Sequence, residues 1–249
     1  MKTALVTGAA KRIGASIATD LAKYGFNVAI QYASSEDDAQ NLAANLREFG
    51  VDAAAFEANL LVADECQNLF AQARDALGPI NLLVNNASIF VDDTITEFNE
   101  ALWDAHFNIH LKAPSILSGE MAKQEDLNDG LIINMIDQRV LRLNPNFHSY
   151  TLSKSALWTA TRTMAQALAP RIRVNAIGPG PTLQNQRQEP EDFAKQIDGL
   201  ILKRGPELKE FSETICHLFE SKSITGQLFA LDGGQHLAWE TPDIAGIPE

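Results

Sequence analysis

Cysteine is scarce in this chain of 249 residues: only Cys66 and Cys216 occur, far apart in sequence. Two distant thiols exclude a disulfide framework and a cysteine-based metal knuckle, and a reducing cytoplasm is the expected compartment. Positive charge is also short, with 20 Lys and Arg against 32 Asp and Glu and a formal net charge of −12. Nucleic acids and anionic membranes need a basic face, so neither is an expected partner. A phosphate-bearing ligand has to find a local positive site on an acidic body. No apolar run approaches the ~18 residues of a membrane span. Met1 leads straight into an apolar segment at 3–6, without the basic, apolar and small-residue regions of a secretory leader. Low-complexity tracts are missing as well. The remaining composition, 45% hydrophobic and 21% charged, suits a folded globular chain and excludes a disordered one. The length fits one domain over 1–249.

Short unbroken apolar runs at 3–6, 27–30, 82–84, 131–135, 173–177 and 228–231 predict buried strands, with a weaker candidate at 52–56. Helical stripes lie between them, such as Ile13, Ile17, Ala18 and Leu21, or Leu69, Phe70, Ala73 and Leu77. Helix stops are marked at Gly25, Gly50 and Gly78-Pro79. Strand and helix alternate, and the strands are apolar throughout. That predicts an α/β fold with a parallel sheet covered by helices on both faces. The stretch 178–190, with three prolines, predicts a loop.

The first strand ends in Thr7-Gly8-Ala9-Ala10-Lys11-Arg12-Ile13-Gly14, and a helical pattern starts inside that loop. Small residues let the backbone turn and approach a ligand, and a helix N-terminus offers free N–H groups to a pyrophosphate. Lys11 and Arg12 add two cations, which suits the extra 2′-phosphate of NADP, with Arg12 fitted to a bidentate contact. The second strand leads to Ser34 and Ser35, where an NAD site usually has an acid. Small hydroxyl residues leave room for a phosphate. Either serine also caps the next helix, with Glu36 to Asp38 in its first turn. Asn59 and Leu60, after the weaker strand, belong to the same expected cofactor set.

Tyr150 and Lys154 share one face of a helical segment reaching Ala169. An ammonium beside a phenol favours phenolate, and a phenol so tuned can protonate a heteroatom during hydride transfer. The motifs Thr7 to Gly14, Asn85-Asn86-Ala87, Tyr150/Lys154, Gly178-Pro179-Gly180 and Leu231-Asp232-Gly233-Gly234 come in the order and spacing of one family. On these residues the chain resembles the short-chain dehydrogenase/reductases over nearly its whole length. The resemblance implies a Rossmann-type, doubly wound sheet of seven parallel strands and a nicotinamide cofactor, here NADPH/NADP. It implies Tyr150 as proton donor and Lys154 on the nicotinamide ribose. Asn85, Asn86 and Ala87 would line the adenosine side, and Pro179, Gly180, Thr182 and Leu183 would run along the nicotinamide.

Departures from the family pattern narrow the expected substrate. The usual serine of the strand 5 loop is Asp137. A carboxyl can accept an N–H or, with a raised pKa, supply a proton through water, which suits C=N better than C=O. A solvated surface Asp is the structural alternative. Arg12 stands at the middle fingerprint glycine. Together with Asp137 and the run Asn85 to Phe90, it resembles the pteridine reductase branch. There the equivalents of Ser88 and Phe90 contact cofactor or ligand and stack on the pterin; the alternative for Phe90 is a packing residue. The expected substrate-binding set is Arg12, Ser88, Phe90, Asp137, Tyr150 and Gly180. The family's active-site Asn position is held by His110, which could keep that residue's water. His106 and His110 lie i, i+4, but no third ligand accompanies them, so no metal is expected.

The expected function is NADPH-dependent reduction of a dihydropterin or dihydromonapterin at a C=N bond, with the proton from Tyr150 or by way of Asp137. A segment at about 181–204, polar and containing Arg187, would cover the substrate. The alternatives are a carbonyl or 3-oxoacyl thioester reductase and a non-catalytic NADP(H)-sensing protein. The resemblance also implies a homotetramer built through helices at 104–117 and 153–169 and the last strand.

Overall fold

The computed structural model describes residues 1–184, 188–241 and 243–246. Each expected strand forms: β1 Lys2–Val6, β2 Phe26–Tyr32, β3 Ala53–Glu57, β4 Ile80–Asn85, β5 Gly130–Met135, β6 Ile172–Pro179 and β7 Leu228–Leu231. They make one seven-stranded sheet in the order β3-β2-β1-β4-β5-β6-β7. Every pairing is parallel. The chain starts in the middle of the sheet, winds outward to β3, then returns beside β1 as β4. That reversal opens a crevice at the carboxyl ends of β1 and β4, where ligands bind in doubly wound sheets.

The crossovers are α1 Arg12–Lys23, α2 Glu36–Arg47, α3 Ala63–Leu77, α4 Glu100–Phe107 with α5 Ala113–Ala122, α6 His148–Leu168, α7 Pro190–Asp198 and α8 Leu208–Glu220. Two cores result, one on each face of the sheet. The first packs Val6, Ile30 and Val84 against Ile17 and Leu21 of α1 and Phe211 and Ile215 of α8. The second packs Leu5, Leu83 and Ile132 against Leu69 and Phe70 of α3 and Leu117 and Met121 of α5. Central strands β2 and β5 are buried at every residue. That double coverage is why the strands read as unbroken apolar runs and not as alternating ones.

Three local expectations differ. The helix expected over 104–117 is interrupted by a π-helical turn, Asn108–Lys112. Pro114 has no N–H to return to the carbonyl four residues back, at His110, and the Ala113 N–H bonds Asn108 instead. Ser35 takes the N-cap position of α2 but its side chain makes no capping bond there. The charges of Glu36, Asp37 and Asp38 in the first turn offset the helix dipole in its place. The segment expected to cover the substrate is not all loop, since it contains α7. Arg187, within it, lies outside the described residues.

Candidate active site

Two cavities meet at the carboxyl edge of the sheet and share Arg12 and Ile13 in their walls. The first, about 530 Å³, lies over the corner between β1 and α1. Close backbone approach fixes its glycines. Gly8 has φ +59, and a Cβ there would sit 2.9 Å from Cα of Ala87. At Gly14 a Cβ would fall 2.6 Å from Nδ2 of Asn86 and still nearer the Gly8 carbonyl. Asn86 clamps the corner, donating from Nδ2 to the carbonyls of Thr7 (2.9 Å) and Gly8 (3.1 Å). Thr7 Oγ1 accepts from the N–H groups of Asn86 (2.9 Å) and Ala87 (3.0 Å).

α1 begins at Arg12 with no side-chain cap and no acid in its first turn, unlike α2. Its leading N–H groups and dipole therefore face the cavity without a competing anion from their own chain. Gly8, Lys11, Arg12, Ile13 and Gly14 form one wall. Asn59, Leu60, Asn86, Ala87 and Ser88 line the cavity as well.

Some expected cofactor residues stand elsewhere. Asn85 is buried within the sheet and donates to Oδ1 of Asn134 at 2.8 Å. Asn134 in turn donates to Thr161 of α6 at 2.9 Å, so Asn85 braces strands and lines neither cavity. Ser34 and Ser35 lie just beyond the wall, which ends at Ala33. The two adjacent cations divide. Lys11 reaches Asp38 at the start of α2, Nζ to Oδ2 2.9 Å, beside the serines. Arg12 turns the other way, with φ 55, and donates to the carbonyls of Leu183 (3.4 Å) and Gln184 (3.3 Å). Both cations line the first cavity, with Lys11 at the end nearer α2 and Arg12, expected to grip the 2′-phosphate, toward Leu183 and Gln184.

The second cavity, about 480 Å³, is lined by Tyr150 and Asp137. The first turn of α6 carries Tyr150 to the end of β5, where its hydroxyl donates to Oδ2 of Asp137 at 2.8 Å. Oδ1 of Asp137 accepts from the Arg139 N–H at 2.8 Å. Asp137 is thus built into the cleft, which removes the solvated-surface alternative. Burial raises its pKa, against the pull of those two hydrogen bonds and of the Arg139 and Lys154 charges. Burial holds the Tyr150 phenol well above its ordinary value, and the neighbouring carboxylate adds to that. Lys154, the expected partner of the phenol, holds its Nζ 5.7 Å from the Tyr150 ring centroid. Lys154 donates to the Met135 carbonyl at 2.8 Å, and burial pushes its own pKa down to about 8.

An aromatic wall closes one side. Phe90 stacks on Phe147 with centroids 4.3 Å apart and planes 3° from parallel, and meets Tyr150 edge-on at 4.8 Å. The Arg139 guanidinium lies 4.6 Å over Phe147 and 5.5 Å over Phe90. Phe90 is therefore a cleft residue. Phe147 and Arg139 extend its platform and were not anticipated; no periodicity or motif marks them. Pro179, Gly180, Thr182 and Leu183 also line this cavity. A Cβ on Gly180 would fall 2.6 Å from Cα of Asp232, which fits the backbone of the Asp232-Gly233-Gly234 turn against the cleft floor. Gln31 was also missed. Its Oε1 accepts from the Gly8 N–H at 2.7 Å and its Nε2 donates to the Ala58 carbonyl at 2.8 Å, tying the phosphate-loop corner to β2.

His106 and His110 stack in parallel behind Tyr150, with centroids 5.6 Å apart, and both rings are buried. Nδ1 of His106 pairs with Ser149 Oγ at 2.7 Å and Nδ1 of His110 with Ser153 Oγ at 2.8 Å, so the pair ties the broken helix to α6. Burial and the Lys154 charge hold His110 well below the ordinary imidazole value, so its ring is neutral.

Comparison with known proteins agrees with this geometry. The family model for short chain dehydrogenases matches residues 2–194. A crystal structure of FolM alternative dihydrofolate reductase 1 from Brucella suis in complex with NADP is 56% identical, covers 98% of each chain and superposes with a TM-score of 0.95. The Brucella canis protein of that name, complexed with NADP, is 55% identical over 98% of each chain, with a TM-score of 0.93. A 3-oxoacyl-[acyl-carrier-protein] reductase, FabG, from Staphylococcus epidermidis is 33% identical over 95% of this chain and 99% of its own. The sheet order, the glycine corner and the Tyr150/Lys154 helix are those of one lineage, and the chain belongs to the short chain dehydrogenase family.

Proposed function

We propose that the protein is an NADPH-dependent reductase of pterins that carries a dihydropterin to its tetrahydro form. The observation that supports this most is the carboxylate of Asp137 bonded to Tyr150 beside the Phe90–Phe147 platform. A ketone reductase needs hydroxyl donors at a carbonyl oxygen. This cleft instead sets an acceptor next to its one phenolic donor, under a flat aromatic surface that suits a conjugated bicycle. The Brucella FolM relatives at 55% and 56% identity support the same reading.

The first cavity fits a dinucleotide. Its glycines admit close backbone approach, and the uncapped start of α1 offers N–H groups to a pyrophosphate. Gly8 to Gly14, Asn86 to Ser88, and Asn59 and Leu60 would hold it, with Lys11 at the 2′-phosphate and Ser34 and Ser35 close by. Tyr150, Lys154, Pro179, Gly180, Thr182 and Leu183 would meet its nicotinamide half. When bound, the cofactor supplies a hydride to the carbon of the substrate C=N bond. The Tyr150–Asp137 pair holds one transferable proton on a shared hydrogen bond, and that proton goes to the ring nitrogen. Asp137 also accepts an N–H from the heterocycle, and Phe90 orients the ring. Ser88, Arg12 and Gly180 complete the substrate's surroundings. Of the segment at 181–204, Phe193 and Gln196 of α7 lie in the cavity wall and cover it. The whole of 1–249 acts as one domain, cytoplasmic, and a homotetramer through 104–117, 153–169 and β7. No helix among the described residues is long and apolar enough to cross a membrane.

Turnover tests this. NADPH absorbance is followed with a dihydropterin and, separately, with an acetoacetyl thioester, the substrate class of the FabG relatives. Consumption with the dihydropterin and little with the thioester is expected. Tight NADPH binding with no turnover of either would replace the enzyme by a cofactor-sensing protein.

A further inference from the structure

The hydrogen bonds around His110 fix where its proton sits, although both ring nitrogens touch hydroxyl groups that could donate or accept. Nε2 lies 3.3 Å from the backbone N–H of Ile89, a group that can only donate. Nε2 therefore carries no hydrogen. In a neutral ring the proton is then on Nδ1, facing Ser153 Oγ at 2.8 Å. Ser153 fits as acceptor, because its own hydroxyl is placed to donate to the Tyr150 carbonyl at 2.7 Å. The bare Nε2 also lies 2.8 Å from Ser88 Oγ. Two lone pairs cannot face each other at that distance, so the Ser88 proton points at His110. Ser88 lines the first cavity and sits against the Tyr150 hydroxyl of the second, so what it turns to their junction is oxygen lone pairs; the Ile89 carbonyl, 3.4 Å from Oγ, is the longer and weaker acceptor for its proton. His110 is 1% exposed and Ser153 is fully buried, so solvent does not compete for these bonds.

We propose that His110 is a positioning residue that holds the Ser88 hydroxyl as an acceptor toward the cleft, and so selects substrates presenting an N–H donor there. Ser88 and Asp137 then form two acceptors around the single phenolic donor of Tyr150. This inference rests on the pterin reading, since an amino-substituted heterocycle is the class that supplies such donors and a simple ketone lacks them. His110 itself touches neither cavity; it acts through Ser88.

Nitrogen-15 NMR of the histidine rings in the ligand-free protein, with His110 assigned by its loss in His110→Asn, tests the tautomer directly. A protonated Nδ1 and bare Nε2 are expected. Kinetics test the consequence. Ser88→Ala and His110→Asn are each expected to lower the ratio of kcat/KM for a dihydropterin to that for a vicinal diketone about tenfold, mostly through the dihydropterin KM. Ser88→Thr, which keeps the hydroxyl, restores the ratio. In the Ser88→Ala background, His110→Asn changes it no further. A hydrogen on Nε2, or a second loss from His110→Asn when Ser88 is already gone, would overturn the proposal. A wild-type protein that turns over no dihydropterin would remove the functional reading and the selection with it. Protonated Nε2 in an active pterin reductase would remove this inference alone.

Discussion

Lys154→Met should make the cofactor-free protein more stable while abolishing its activity. Lys154 is buried, with Nζ on the Met135 carbonyl at 2.8 Å, and burial takes its pKa from 10.5 to about 8. At ~1.4 kcal/mol for each unit, carrying the charge at pH 7 costs about 3 kcal/mol of folding free energy. Methionine fills similar space and loses only the neutral part of the carbonyl bond, about 1 kcal/mol. The net gain at pH 7 is about 2 kcal/mol. The pH dependence carries the test. Between about 8 and 10.5 the folded wild type binds fewer protons at this site than the unfolded chain, so its stability rises with pH across that window. The variant has no such term, and its advantage should shrink from pH 7 to pH 10. Urea midpoints at the two pH values read it. A variant less stable than wild type by the same amount at both would show that the buried charge costs nothing, and the reasoning would fail.

Other outcomes follow from single contacts. Tyr150→Phe should reduce kcat at least a hundredfold with NADPH affinity kept, measured by turnover and cofactor titration, since it deletes the phenolic donor of the cleft. Gly14→Ala forces a Cβ to within 2.6 Å of Asn86 Nδ2, so NADPH binding should be lost together with several degrees of Tm; an unchanged Tm would mean the corner can relax. Lys11→Ala should weaken NADPH about tenfold and NADH little, whereas Arg12→Ala should disturb substrate KM more than the choice of cofactor. Asp137→Asn should raise stability at neutral pH, because a buried acid with a raised pKa loses stability as pH climbs past its unfolded value.

Much of this was legible because the sheet is buried on both faces. Runs such as 131–135 had to be apolar throughout, and the alternation of those runs with helical stripes specified the winding. Gly8 and Gly14 were legible for a related reason: the Ala87 backbone at one, and the Gly8 carbonyl and Asn86 side chain at the other, leave no room for a side chain. Spacing on α6 placed Tyr150 and Lys154 on one face, and the family pattern, with serine in the strand 5 loop, made Asp137 unusual. What stayed hidden depends on contacts between distant segments. Phe147 joins Phe90 only because its backbone takes φ 56 at the start of α6, a conformation no pattern signals. Gln31 looks like any polar residue in a strand until the Gly8 N–H and the Ala58 carbonyl arrive from either side. The divided directions of Lys11 and Arg12 follow from the left-handed backbone at Arg12, which adjacency in sequence concealed. The break at Asn108–Lys112 was written in Pro114, but its result, a histidine turned between Ser88 and Ser153, needed coordinates.

The decisive comparison is the ratio of kcat/KM for a dihydropterin to that for an acetoacetyl thioester, with NADPH, in wild type and in Asp137→Ser. If an acidic acceptor beside Tyr150 dictates the substrate, wild type favours the dihydropterin and the serine variant shifts the ratio toward the thioester by tenfold or more. A wild type that prefers the thioester, or a ratio that the serine leaves untouched, would contradict it.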